Sequence, residues 1–137
     1  AIRAALNEAG LSPAEIGHVN AHGSGHRLSD LAEARALQRV FGPAGVPITA
    51  LKGYMGNISS GCGSVELIGS LVGVNQGAIP RILNCDEPDP ECGELDLVLG
   101  ASRPTANPVF LTTNLPPNGQ AAAVIVRGEP PADLNES

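Results

Sequence analysis

The stretch "HVNAHGSGHRLSDLAEARALQRVFG" (His18–Gly42) changes periodicity in its middle, and that change decides the fold. "HVNAH" is short and β-tolerant, and it runs into the turn-forming Gly23-Ser24-Gly25. Beyond it Leu31, Ala34, Leu37 and Phe41 recur at helical spacing, and Gly42 closes the run. Asp30 followed by Glu33 predicts a capping box at the start of that helix. A strand that hands over to a helix through glycines is a unit of layered α/β folds.

The flanking segments repeat the alternation. Upstream, Ile2, Leu6 and Ala9 lie at helical spacing, with Gly10 placed to end the helix and Pro13 behind it. Downstream, "VPITA" reads as a short buried strand. It opens into the glycine- and serine-rich "LKGYMGNISSGCG" (Leu51–Gly63). "SVELIGSLVGVNQG" follows, an apolar run whose length favours a buried helix over a strand. "NCDEPDPECG" is a proline-punctuated loop, and "LDLVL", "VFLTTN" and "AAAVIVRG" read as extended. The order predicts one sheet carrying helices, with a site built by the loops that leave the strand ends. The two glycine-rich loops, after "HVNAH" and after "PITA", are the candidates.

With 137 residues there is room for one domain and one core. Aromatic side chains are nearly absent, so Ala, Val, Ile and Leu must build that core. The net charge of −6 leaves no basic stripe for nucleic acid or for an anionic membrane surface. Three cysteines (Cys62, Cys85, Cys92) without a C-x-x-C pair argue against a disulfide framework or a zinc ribbon. A reducing, cytoplasmic setting is therefore expected. The opening "AIRAALNEAG" starts inside a helical pattern, as a piece of a longer protein would.

All three histidines, His18, His22 and His26, fall within nine residues. A metal site would need them on one helix, which Gly23 and Gly25 disfavour. On a strand, His18 and His22 would stand roughly 13 Å apart, too far to share one ion. Metal is not expected. An ordinary turn histidine and a catalytic donor at a strand end both fit the residues. Lys52 is the only lysine beside seven arginines, and it opens a glycine-rich loop where a compact three-donor ammonium could be used. A surface lysine fits as well. Glu66, near the start of the apolar helix, either caps that helix or pairs with a buried cation, for which Lys52 is available.

"VNAHGSGHRLSDLAEARALQRVFG" resembles the "VNAHGT" segment and following helix of the β-ketoacyl-ACP synthases, members of the thiolase-like superfamily. "LKGYMGNISSGCGSVELIGSLVGVNQGAIP" is similar to their K-S-M-T-G-H…G-x-x-G…E segment, and "DEPDPECGELDLV" to a further family loop. The resemblance implies the C-terminal half of a thiolase-like α/β fold, a mixed sheet of about five strands with helices packed on it. That domain would fill residues 1–128, and the remaining "EPPADLNES" (129–137) would be a polar tail. It further implies that His22 donates to a malonyl thioester carbonyl, and that Lys52 paired with Glu66 holds the histidine's surroundings. Pantetheine contacts fall at Ser24 and His26. No cofactor of the chain's own is implied, because the phosphopantetheine arm arrives on the acyl carrier protein. Other implied partners are the N-terminal half of the synthase and a second subunit in a homo- or heterodimer.

The departures from the pattern matter equally. Asn57 stands where the family has its second histidine, which puts condensation in doubt. The gating loop reads "TTNLPPNGQ" (Thr112–Gln120), whose two prolines impose a stiffer backbone. Cys62 lies where a helix N-terminus would favour a thiolate, but the family uses small residues there for close packing. Cys85 and Cys92, which flank the proline loop, are read as structural. The family's nucleophilic cysteine belongs to the other half. Two functions remain open: a divergent synthase of fatty acid or polyketide assembly that cannot condense as an isolated half, and a non-catalytic partner of the chain-length-factor kind.

Overall fold

A computed structural model gives the fold of residues 1–129, and the predicted polar tail beyond Glu129 lies outside the described residues. Helix α1 (Ile2–Ala9) ends at Gly10, whose φ of 66° lets its N–H turn back to the carbonyls of Leu6 and Asn7. Strand β1 (His18–Asn20) leads into helix α2 (Arg27–Phe41), and β2 (Pro47–Thr49) leads into the single turn α3 (Lys52–Met55). Helix α4 (Cys62–Asn75) follows, as its apolar length predicts. The remaining strands are β3 (Ala78–Ile79), β4 (Asp96–Leu97), β5 (Arg103–Pro104), β6 (Val109–Asn114) and β7 (Ala122–Arg127).

Five of the strands form a mixed sheet in the order β4-β2-β1-β6-β7. The inner pairings are parallel, and β7 closes the sheet antiparallel to β6. "LDLVL" supplies only two ladder residues, Asp96 and Leu97. A separate two-stranded ribbon, β3 against β5, has no counterpart in the sequence reading.

Strand β1 lies at the centre, and each of its three residues is buried. Alternation along it separates two environments. On one side Val19 and Ala21 join Leu6, Leu37, Ile48, Val109 and Leu111 in an apolar cluster under α1 and α2. Each of the Val, Leu and Ile side chains contributes about 1.5–3 kcal/mol on burial. On the other side Asn20 faces α4, with Nδ2 donating to the Glu66 carbonyl and to Ser70 Oγ, both at 2.9 Å. His18 lies stacked on Phe110 of β6 with ring centroids 5.2 Å apart. Helix α4 comes close to the returning chain because Gly73 has no side chain: a Cβ there would sit 2.7 Å from the Ala78 carbonyl oxygen.

The predicted capping box is not formed. Helix α2 begins at Arg27 with His26 at its N-cap, four residues earlier than a cap at Asp30 requires. Asp30 and Glu33 are instead inside the helix and turn their carboxylates back onto the loop before it.

Candidate active site

The loop after β1 is held by carboxylates. Asp30 accepts from the backbone N–H groups of Ser24 and Gly25 at 2.9 and 3.0 Å. Glu33, 5% exposed, accepts from the N–H groups of His22 and Gly23 at 2.8 and 3.0 Å. Thr113 of β6 adds a hydroxyl, donating to Glu33 at 2.6 Å and accepting from the His22 N–H at 3.2 Å. Gly23 must be glycine in this path, with φ of 47° and a virtual Cβ only 2.7 Å from Ala50 Cβ. The loop is thus fixed by charge-assisted bonds to backbone rather than by packing.

The sequence reading missed Glu33 and Thr113 as site residues. Glu33 lies four residues before Leu37, on the helix's buried stripe. That phase was the available signal, because a carboxylate on such a stripe needs donors.

Lys52 reaches this loop from the other strand end. Its Nζ is 2.5 Å from Glu66 Oε1, 2.5 Å from the His22 carbonyl oxygen and 3.1 Å from His22 Nδ1. An ammonium has three N–H donors, and three acceptors surround this one. Lys52 is 7% exposed and Glu66 fully buried, so the two form a buried ion pair in which Glu66 does not cap its helix. Burial pushes the Glu66 carboxyl up, against the opposing pull of Lys52. Its second oxygen, Oε2, and Asn20 Oδ1 are buried without a partner among the described residues.

The same geometry sets the state of His22. Burial holds its imidazole below the ordinary histidine value, and the neighbouring Lys52 charge adds to that. Nδ1 faces an ammonium donor, so it must be an unprotonated acceptor, which leaves the proton of the neutral ring on Nε2. His22 is therefore built to donate a hydrogen bond from Nε2.

The other candidates separate. Asn57 is exposed and bonds none of these three, but it lines a cavity of about 550 Å³ together with Gly23, Ser24 and Lys52. The Ser24 hydroxyl is already donated to Asp30 at 2.8 Å. His26 is exposed on the outer loop, its Nδ1 3.4 Å from Ser29 Oγ, and it does not line that cavity. His18 stays inside the sheet, where burial pushes its imidazole down to about 4. The three histidines thus occupy three separate environments.

Comparison with known proteins places this geometry. The family described as β-ketoacyl synthase, C-terminal domain, matches residues 1–86. The chain belongs to the β-ketoacyl synthase family. It is 39% identical over 127 residues to a putative polyketide β-ketoacyl synthase 2 of Streptomyces virginiae, covering 93% of this chain and 31% of that protein. It is 32% identical over 105 residues to a 3-oxoacyl-[acyl-carrier-protein] synthase 2 of a Synechocystis species, covering 75% of this chain and 25% of that one. Among solved structures, the ishigamide ketosynthase/chain length factor superposes with a TM-score of 0.87 at 28% identity, over 93% of this chain and 31% of its own. The chain thus spans about a third or less of the length of these synthases. The thiolase-like fold expected from the resemblance is the fold observed, five-stranded mixed sheet included.

Proposed function

We propose that this chain supplies the decarboxylating donor of a ketosynthase that works on acyl and malonyl thioesters of acyl carrier protein. The observation that carries the reading is the three-way contact of Lys52 Nζ, which commits His22 Nδ1 as acceptor and leaves Nε2–H to donate. In the reaction, the bond between the malonyl α-carbon and its carboxylate breaks and carbon dioxide leaves. The electron pair becomes an enolate whose oxygen accepts from His22 Nε2–H. The enolate carbon then attacks an acyl thioester held on a cysteine in the rest of the synthase, a carbon–carbon bond forms, and the thiolate departs. Preorganised donors of this kind are worth about 10²–10³ in rate each. The buried Lys52–Glu66 pair stays charge-balanced throughout, so it orients His22 without exchanging protons. Ser24, on the cavity wall, and His26, outside it, are assigned to the pantetheine path.

The domain reading, residues 1–128, rests on the extent of the sheet and helices, and it leaves one face of α4 without a partner among the described residues. Val65, Ile68 and Val72 recur along that face and are 44%, 58% and 49% exposed. We assign this stripe to the remaining half of the synthase. An isolated chain should then bind an apolar dye or self-associate, and a dye-silent monomer would refute the assignment.

A second reading is a non-catalytic partner of the chain-length-factor kind. Asn57 in place of the second histidine and the prolines of "TTNLPPNGQ" favour it. No helix among the described residues is long and apolar enough to cross a membrane. The two readings part when the full-length parent chain is incubated with acyl- and malonyl-carrier protein. Acylation in the intact mass together with an extended β-ketoacyl product supports the synthase. A folded protein that is neither acylated nor productive supports the partner.

A further inference from the structure

Asn57 occupies the position of a family histidine, and the side chain that meets it from α4 is a thiol. Asn57 Oδ1 accepts from the Ser59 backbone N–H at 3.0 Å. A backbone N–H can only donate, so this bond fixes which end of the amide is oxygen. Cys62 Sγ lies 3.4 Å from the same oxygen and is placed to donate its S–H there. The Ile58 N–H donates to that sulfur at 3.2 Å and occupies one of its lone pairs, which leaves the S–H free to point at Asn57. No described residue accepts from Asn57 Nδ2, and Asn57 borders the cavity that Lys52 and Gly23 also line.

We propose that Cys62 is a positioning residue whose thiol holds the Asn57 amide in the orientation that presents its NH₂ group, as a hydrogen-bond donor, to the cavity that Lys52 and Gly23 also line. This rests on the synthase reading above and deepens it. An asparagine amide has two ends of opposite polarity, and rotation by half a turn would bring its oxygen to face a developing enolate oxygen. Two donors converging on Oδ1 disfavour that rotamer, and one of them is the thiol. Cys62 is 1% exposed and its proton is committed, which also separates it from a nucleophile's role. The sequence pattern gains a sense as well: the small residue expected at position 62 is replaced by a thiol in the same chain that replaces the histidine by Asn57.

The test uses the full-length parent protein, with carbon dioxide release from malonyl-carrier protein as the rate. A thiol donor is weak, so Cys62→Ala is expected to lower kcat about three- to tenfold, the range of one modest hydrogen bond, with KM unchanged. Cys62→Ser, which keeps a donor, should recover most of that loss. In an Asn57→Ala background, Cys62→Ala should cost nothing further. An equal loss in both backgrounds would reduce Cys62 to packing and overturn the proposal. Infrared spectroscopy of the S–H stretch, isolated by difference from Cys62→Ala, reads the contact without turnover. The band should move to higher frequency in Asn57→Ala, and a band that stays in place overturns the contact. A folded protein with a shifting band and no carbon dioxide release would refute the synthase reading but keep the thiol lock. Turnover with an unmoved band would do the reverse.

Discussion

The two faces of β1 lie one residue apart in the chain and have divided the work. The face carrying Val19 and Ala21 packs aliphatic side chains against α1 and α2, and its buried polar groups, Glu33 and Thr113, pair with each other at its end. The face carrying His18 and Asn20 meets α4 through hydrogen bonds and holds buried polar atoms without described partners. Directly beyond this second face stands the Lys52–Glu66 pair. The apolar side is where stability is gained, and the polar side is where some of it is given up to hold His22 in one state. Substitutions on the two faces should therefore separate stability from chemistry.

The largest effect is expected on the polar side. Lys52→Met leaves Glu66 charged and buried without its cation, which should cost about 3–5 kcal/mol. The double variant Lys52→Met/Glu66→Leu should recover most of that stability in urea unfolding of the full-length protein, while decarboxylation stays lost. Recovery of activity together with stability would erase the distinction between the faces.

On the apolar side, Leu6→Ala, away from the cavity, should cost about 2–5 kcal/mol through lost burial and the void it leaves. Per folded molecule, kcat should be unchanged. A fall in kcat at temperatures where the variant is fully folded would tie the apolar core to the site.

The pH dependence sharpens the comparison further. Burial holds folded His18 at about 4, below its ordinary value of 6.5. The unfolded chain therefore binds the extra proton first as pH falls. His18's contribution is full above its unfolded value and is lost as pH drops towards the folded one. Between pH 7 and 5 this amounts to about 2 kcal/mol. His22, also lowered, acts in the same direction, and Glu66, raised by burial, acts in the opposite one. Urea midpoints at the two pH values should differ less in His18→Phe than in the parent. An unaltered difference would show that His18 is not the group being read.

The smallest effect belongs to the loop clasp. Asp30→Ala removes the acceptor of the Ser24 and Gly25 N–H groups and should cost about 1 kcal/mol, as loss of a helix cap does. Hydrogen exchange at those two amides should quicken while the Val19 amide stays protected.

Local patterns carried much of this in the sequence. The handover from "HVNAH" to α2, the strand "PIT" and the long apolar α4 follow from spacing and glycine placement. Lys52 stood out as the single lysine, and its pairing with Glu66 was one of two alternatives that the residues allowed. Glu33 was misread because a carboxylate three residues after Asp30 matches a capping box, and only the true start of α2 at Arg27 moves both into the helix. The β3–β5 ribbon has two residues per strand, too few to show alternation. The sheet order brings residues about 90 apart into register, as His18 against Phe110, and no local signal encodes that. The thiol contact to Asn57 depends on an α4 residue five positions away meeting a loop side chain, which spacing alone does not define.

The most direct test of the account is carbon dioxide release from malonyl-carrier protein by the folded full-length protein and its His22→Ala variant. The account predicts release that falls about 10²–10³-fold when the Nε2–H donor is removed. Equal release by both proteins would contradict it, because the contact of Lys52 with His22 would then hold a residue that does no chemistry.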